Sequence, residues 1–170
     1  MGADSTFAVR RGCLLFRLAE QTYALPGECV EEIVPMAELS SAPGAPSFLS
    51  GFLEVAGRLV AVISLRRLWK LPDRARELYT PIVILKSSPR AWAIEVDAVT
   101  QIVEMHGHDL VPIADGCSLN DCAVAIARVE GSSVVLLSPD RILLEQEQKG
   151  VAELSELVRQ RLAEMELVTA

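Results

Sequence analysis

The sequence predicts a mainly β fold with one short internal helix and an amphipathic helical extension at its C-terminal end. Short apolar runs recur along the chain, separated by Gly, Pro, Ser and charged residues at spacings that suit strands. Apolar residues make up 51% of the 170 residues and aromatic residues 5%, so the core must be built mainly from aliphatic side chains. After Pro139 the apolar spacing changes to that of a helix.

The first half of the chain contains two predicted hairpins. Their turns are Ala19-Glu20 and Ala56-Gly57, and Gly57 can adopt the positive φ that a tight turn often requires. A loop at residues 40–46 contains two prolines, which a central strand could not accommodate. The five predicted strands span residues 12–18, 21–26, 30–34, 48–55 and 58–63.

The second half continues the same pattern after a short predicted helix at residues 65–71, which Pro72 ends. A hairpin-like connection is expected at residues 87–90, a polar loop at residues 106–109 and a turn at residues 130–132. The five predicted strands span residues 81–85, 91–96, 99–105, 123–129 and 134–137. About ten strands with one internal helix predict two small barrels or a folded pair of sheets.

The C-terminal segment is predicted to be helical in two parts. A helix at residues 140–148 has Pro139 near its first turn, and Gly150 breaks or kinks it. Beyond Gly150, apolar residues fall within an arc of about 140° on a helix, and Arg161 lies inside this arc. They are Val151, Leu154, Leu157, Val158, Leu162, Met165 and Val168. This face either packs on its own barrel, which we favour, or binds a partner or a second copy.

Composition and charge exclude several classes of function. The formal net charge of −7 provides no bulk attraction for nucleic acid or for anionic lipid. The four cysteines are too few and too irregularly spaced for a secreted disulfide framework, so we expect reduced thiols. No secretory signal and no apolar run of membrane-spanning length occurs. These features predict a cytoplasmic protein that does not itself insert into a membrane.

The residues that come nearest to a catalytic or metal site are His106, His108 and Asp109, with Cys117 and Cys122 nearby in the sequence. Their spacing does not match a zinc site, which usually takes paired ligands from two separate elements. The sequence has no Gly-x-Ser-x-Gly turn and no glycine-rich phosphate loop. We therefore predict no enzyme activity, no catalytic residue, no metal and no cofactor.

A series of ordered motifs resembles the CheW-like family of chemotaxis coupling proteins. The resemblance runs from about residue 12 to residue 144 and divides the chain into a domain at 8–144 and an extension at 145–170. The motifs are Tyr23-Ala-Leu-Pro26, Val30-Glu-Glu-Ile33, Ala42-Pro-Gly-Ala-Pro-Ser-Phe-Leu-Ser-Gly51, Gly57-Arg-Leu-Val-Ala-Val-Ile-Ser-Leu-Arg66 and Glu95-Val-Asp-Ala-Val99. The resemblance implies two intertwined five-stranded SH3-like barrels that share an apolar seam.

The resemblance also implies a function. Proteins of this family are adaptors that couple methyl-accepting chemoreceptors to a CheA-type histidine kinase, and they hold the two in a fixed geometry. Such an adaptor would lie at the inner membrane face through its receptor complexes. The alternative is a diverged oligomeric scaffold, or a regulatory module that binds only one such partner through its C-terminal helix, with self-association through residues 151–168.

Partner-binding residues follow from the same resemblance. Val30 and Glu32 match the acidic strand that the family uses for partner contact, and Gly51 and Gly57 match two glycines that flank a strand. Ala56 stands where the family commonly has an Arg, with Arg58 two residues later. Two further positions bear on the site. Ser64 replaces the usual Asp before Leu-Arg, and Asp97 matches the Val-Asp pair and is expected to stabilise a turn.

Overall fold

Eleven strands and two α-helices form the described part of the chain. The structure is a computed structural model that describes residues 11–41, 43–75, 79–86 and 91–169. The helices are α1 (Leu65–Leu68) and α2 (Glu145–Thr169). The strands are β1 (Arg11–Leu18), β2 (Gln21–Pro26), β3 (Val30–Pro35), β4 (Leu49–Val55), β5 (Arg58–Ser64), β6 (Pro81–Leu85), β7 (Trp92–Glu95), β8 (Ala98–Met105), β9 (Leu110–Pro112), β10 (Ala123–Val129) and β11 (Ser132–Leu137).

The strands form two sheets, each of which is one lobe of the molecule. The first lobe has the strand order β8-β1-β2-β11-β10-β9, and the second lobe has the order β3-β6-β7-β5-β4. The chain leaves the first lobe after β2, builds the whole second lobe, and returns to the first at β8. The two lobes are therefore intertwined, because the first is completed only after the second has been made.

The apolar runs are nearly continuous because several strands bury both of their faces. Along β1, Cys13 and Leu15 pack in a cluster of the first lobe, whereas Leu14 and Phe16 point into a core shared by both lobes. Strands β5 and β6 divide their side chains in the same way between a cluster of the second lobe and the shared core. Within these apolar runs, alternate residues serve two hydrophobic clusters, so the runs themselves have no polar face.

The second lobe closes on itself where the chain crosses from β3 to β4. The Ser40 N–H donates to the Phe52 carbonyl and the Phe52 N–H donates to the Ser40 carbonyl, both at 2.8 Å. Gly51 makes this approach possible: a Cβ there would lie 2.8 Å from the Ser40 carbonyl oxygen, and its φ is +150°. Any other residue at position 51 would strain the crossing.

The strand predictions agree with the structure to within a few residues, with one omission. The three-residue strand β9 was not predicted, and it follows a 3-10 turn at Gly107–Asp109 in the region that was predicted to be a polar loop. It makes the first sheet six-stranded rather than five-stranded. Helix α1 ends at Leu68 instead of reaching residue 71. The predicted connection at 87–90 and the predicted domain start at residue 8 lie outside the described residues.

The predicted helix start at residue 140 and the predicted break at Gly150 are wrong, whereas residues 145–148 are helical as predicted. Pro139–Arg141 is a 3-10 turn, and Ile142 and Leu143 enter the shared core before α2 begins. The Glu147 carboxylate accepts a hydrogen bond from the Leu144 N–H at 2.7 Å, which caps the helix start.

Helix α2 continues through Gly150 without interruption. A glycine inside a helix costs about 1 kcal/mol relative to alanine. Burial of Val151 and Val158 on the shared core offsets that cost. The favoured interpretation of the apolar face is thus confirmed for Val151, Leu154, Val158 and Leu162, whereas Leu157, Met165 and Val168 are exposed.

No helix in the described ranges is long and apolar enough to cross a membrane.

Candidate partner-binding surface

The β4–β5 hairpin ends in a two-residue turn made by Ala56 and Gly57. Val55 pairs with Arg58, and both turn residues have positive φ, +50° for Ala56 and +77° for Gly57. This is the type I′ geometry that matches the twist of a hairpin. Both residues are exposed, so the hairpin tip is accessible to a partner.

Arg58, which directly follows the turn, links the tip of this hairpin to β3. Its Nη2 lies 2.8 Å from the Glu31 Oε1, and the two side chains are 45% and 33% exposed. Exposed pairs of this kind contribute roughly 0 to 1 kcal/mol because water and salt screen them. The pair brings the hairpin tip next to β3 but contributes little to the stability of the fold.

Strand β3 presents a mixed acidic and apolar edge. Glu32 is exposed, and in the described part of the chain it has neither an ion pair nor a side-chain hydrogen bond. Ile33 is 43% exposed, whereas Val30 is half-buried against the shared core. Together, Glu31, Glu32, Ile33, Ala56, Gly57 and Arg58 form the β3–hairpin surface.

The structure therefore places four of the six predicted partner-binding residues on one surface. Glu32, Ala56, Gly57 and Arg58 are exposed there, and Val30 lies at its inner margin. The sixth, Gly51, is buried beneath the chain crossing at Ser40. Glu31 was not singled out from the sequence, because only the structure shows that it pairs with Arg58 across the lobe.

A salt bridge between Asp97 and Arg66 joins the two lobes. Arg66 follows β5, and its Nε and Nη2 donate to the two oxygens of Asp97 at 3.1 and 2.6 Å. The same carboxylate accepts a hydrogen bond from the Ala19 N–H in the β1–β2 turn at 2.8 Å. We call Arg66, Asp97 and Ala19 the inter-lobe clasp.

The electrostatics of the clasp favour the charged form of Asp97. Its burial would raise the pKa, but hydrogen bonds from Arg66 and from the Ala19 N–H, with the charges of Arg66 and Arg74, outweigh burial and hold the pKa below its ordinary value. Arg66 also donates to the Pro72 carbonyl at 2.6 Å. Asp97 thus stabilises a turn, as expected from the sequence, and in addition connects the lobes.

An open cavity of about 610 Å³ lies between the lobes. Tyr23 from the first lobe and Trp69 from the second lie with ring centroids 5.2 Å apart, and Leu119 is also part of the lining. The Trp69 Nε1 is buried without a hydrogen-bond partner among the described residues. No sequence pattern indicated this cavity, because its walls come from segments far apart in the chain.

The histidines and cysteines that were weighed as a metal site are not arranged as one. The His106 and His108 rings stack at 5.2 Å, Cys117 is exposed, and Cys122 is buried in the shared core, where burial raises its pKa. Over the described ranges, no group of three or more His, Cys, Asp or Glu side chains is positioned to hold a metal ion.

Comparison with known proteins finds similar chains over most of this sequence. The model of the CheW-like domain family matches residues 12–147. A chemotaxis protein CheW of Rhizobium meliloti is 21% identical over 141 residues, covering 82% of this chain and 91% of the relative. A chemotaxis protein CheW of Helicobacter pylori is 22% identical over 129 residues, covering 75% of this chain and 78% of the relative.

The crystal structure of the scaffolding protein TtCheW from Thermoanaerobacter tengcongensis has a similar fold. It superposes with a TM-score of 0.70 at 21% identity, covering 76% of this chain and 90% of that one. The predicted mainly β fold of two SH3-like lobes is confirmed, and so is the family resemblance.

Proposed function

The chain belongs to the CheW-like domain family, and we propose that it is a non-enzymatic adaptor that couples chemoreceptors to a CheA-type histidine kinase. The observation that carries this proposal is the family match over residues 12–147. It is supported by one relative and one solved scaffolding protein, of which the chain covers 91% and 90%. The proteins it resembles are named for chemotaxis and scaffolding.

The geometry suits a protein that works by holding others in place. An adaptor transmits a signal only if its binding surfaces keep a fixed relative orientation. The clasp provides this, because a bidentate Arg–carboxylate pair has a defined geometry and Asp97 connects three separate segments. The shared core, which draws on both lobes and on α2, adds to the rigidity.

We assign partner contact to the β3–hairpin surface. Its exposed Glu32 forms no ion pair in the described structure, and Ile33 beside it offers apolar area. A partner with a basic side chain and a small apolar patch would complement this pair. Ala56 shortens the side chain at the hairpin tip, so we expect the contact there to be weaker than in relatives that carry an Arg.

Binding of purified proteins tests the proposal. The full chain is titrated against a CheA-type kinase and, separately, against the cytoplasmic fragment of a chemoreceptor from the same source, by calorimetry. We expect both to bind, and Glu32→Arg to weaken binding of one partner by about tenfold or more, since it replaces attraction with like-charge repulsion.

The matched control is Glu130→Arg, which reverses an exposed acidic residue in the β10–β11 turn of the other lobe. It should leave both affinities unchanged. Binding of one partner only would favour the alternative of a one-partner regulatory module. If neither partner binds the wild-type chain, the adaptor proposal is wrong for this protein.

A further inference from the structure

The outer part of α2 carries an exposed stripe that the lobes do not cover. Residues 163–168 are all exposed, and Val158 is the last fully buried residue of the helix. Leu157 is 52% exposed and Val168 is 85% exposed. Single exposed apolar residues need no partner by themselves, so an occupant is inferred only where the charged residues between them also match it.

Four residues of this region share one side of the helix. At 100° per residue, Leu157, Arg161, Glu164 and Val168 fall within an arc of roughly 60°. This arc is centred roughly 120° away from Val151, Ser155, Val158 and Leu162, the side that packs on the lobes. We call these four residues the tail stripe.

The spacing of the tail stripe is that of a coiled-coil seam. Successive members are separated by four, three and four residues. Apolar residues occupy its two ends, and a cation and an anion occupy its middle. In the described part of the chain, neither Arg161 nor Glu164 has an ion-pair partner, whereas the neighbouring Arg159 pairs with Glu156 at 2.5 Å.

We propose that the tail stripe binds the tail stripe of a second copy of this chain in an antiparallel pair. A two-fold axis between Leu162 and Ala163 lies midway between Arg161 and Glu164, and also midway between Leu157 and Val168. Each Arg161 therefore faces the other copy's Glu164, and each Leu157 faces the other copy's Val168. In this one antiparallel register, all four residues of each copy face a complementary residue of the other copy.

A parallel pair lacks this complementarity. It would set Arg161 against Arg161 and Glu164 against Glu164, and like charges directly opposite are unfavourable. The charge pattern thus selects both a second copy as the occupant and the antiparallel orientation. The contact spans about 16 Å of helix, so we expect a weak, concentration-dependent dimer.

None of the four stripe residues belongs to the β3–hairpin surface. Dimerisation is therefore a property in addition to the adaptor function and independent of it.

Sedimentation of the full chain from about 1 μM to about 1 mM tests the proposal, since weak association falls in this range. We expect a monomer–dimer equilibrium in the wild type. Arg161→Glu or Glu164→Arg alone should raise the dimer dissociation constant by about tenfold, because each turns two attractive pairs into two repulsive ones. The exposed controls Lys149→Glu and Glu153→Arg should leave it unchanged.

Charge complementation gives the sharper result. The double variant Arg161→Glu/Glu164→Arg should dimerise like the wild type, and an equimolar mixture of the two single variants should form heterodimers. Circular dichroism of each variant checks that α2 remains helical. A chain that stays monomeric over the whole range overturns the proposal, and so does a dimer that neither charge reversal weakens.

Discussion

The inter-lobe clasp and the β3–hairpin surface both contain residues of the family-like motifs, yet they differ in environment. In the clasp, the side chains of Arg66 and Asp97 are 15% and 13% exposed and satisfy one another. In the β3–hairpin surface, Glu31 and Arg58 pair in open solvent and Glu32 has no partner in the described structure. The motif residues thus divide into a group that holds the lobes together and a group that remains available for binding.

Loss of the clasp carboxylate should have the largest effect on stability. Asp97→Ala leaves the Arg66 guanidinium and the Ala19 N–H without their acceptor in a mostly buried site. We expect the free energy of unfolding to fall by about 3 kcal/mol. Chemical denaturation measures this change. Asp73→Ala is the matched control, since Asp73 is 71% exposed and 3.9 Å from Arg67, and a comparable loss there would contradict the distinction between the two regions.

The clasp should also make stability depend on pH in the acid range. The pKa of Asp97 is lowered in the folded state, chiefly by Arg66 and the Ala19 N–H against the opposing effect of burial. A lowered pKa contributes stability that is complete above the unfolded value, near pH 4, and is lost as pH falls through the folded value.

The difference in unfolding free energy between wild type and Asp97→Asn should therefore be constant above about pH 5 and shrink below about pH 4. Denaturant titrations at a series of pH values measure it. A difference that stays constant down to about pH 2 would show that folding does not lower the pKa of Asp97, and it would contradict a stabilising role for the clasp.

The exposed ion pair should contribute much less than the clasp. A double-mutant cycle with Glu31→Gln and Arg58→Gln should give a coupling energy of about 0.5 kcal/mol or less, which disappears at about 1 M salt. A coupling above about 2 kcal/mol would place this pair in the same class as the clasp.

The smallest expected effect is at the hairpin tip, where a substitution should increase the stability of the fold. Ala56 holds a positive φ of +50°, which is unfavourable for a residue with a Cβ, whereas Asn tolerates it. Ala56→Asn should therefore raise the free energy of unfolding by about 0.5 to 1 kcal/mol. Thermal unfolding checks the direction. A loss of stability would mean that the Ala56 methyl group makes a contact that the turn geometry does not reveal.

The strands, their approximate bounds and the family motifs were predictable because they depend on neighbouring residues. The alternation of Leu14 and Phe16 with Cys13 and Leu15 is visible in the sequence, as is the Ala56-Gly57 turn. The start of α2 was misjudged because Pro139 resembles a helical first position, while the burial of Ile142 and Leu143 that delays the helix is a tertiary effect. Strand β9 was missed because three residues carry too little periodicity to detect.

The sequence by itself determined that this is a mainly β chain of the CheW-like family with an amphipathic helix at its end, since those features depend on local pattern and residue order. Only the tertiary structure decided which motif residues face inward. Asp97 meets Arg66 and Ala19, and Glu31 meets Arg58, across separations that no local pattern encodes. The same holds for α2, where packing on the shared core selected one side of the helix and left the tail stripe exposed.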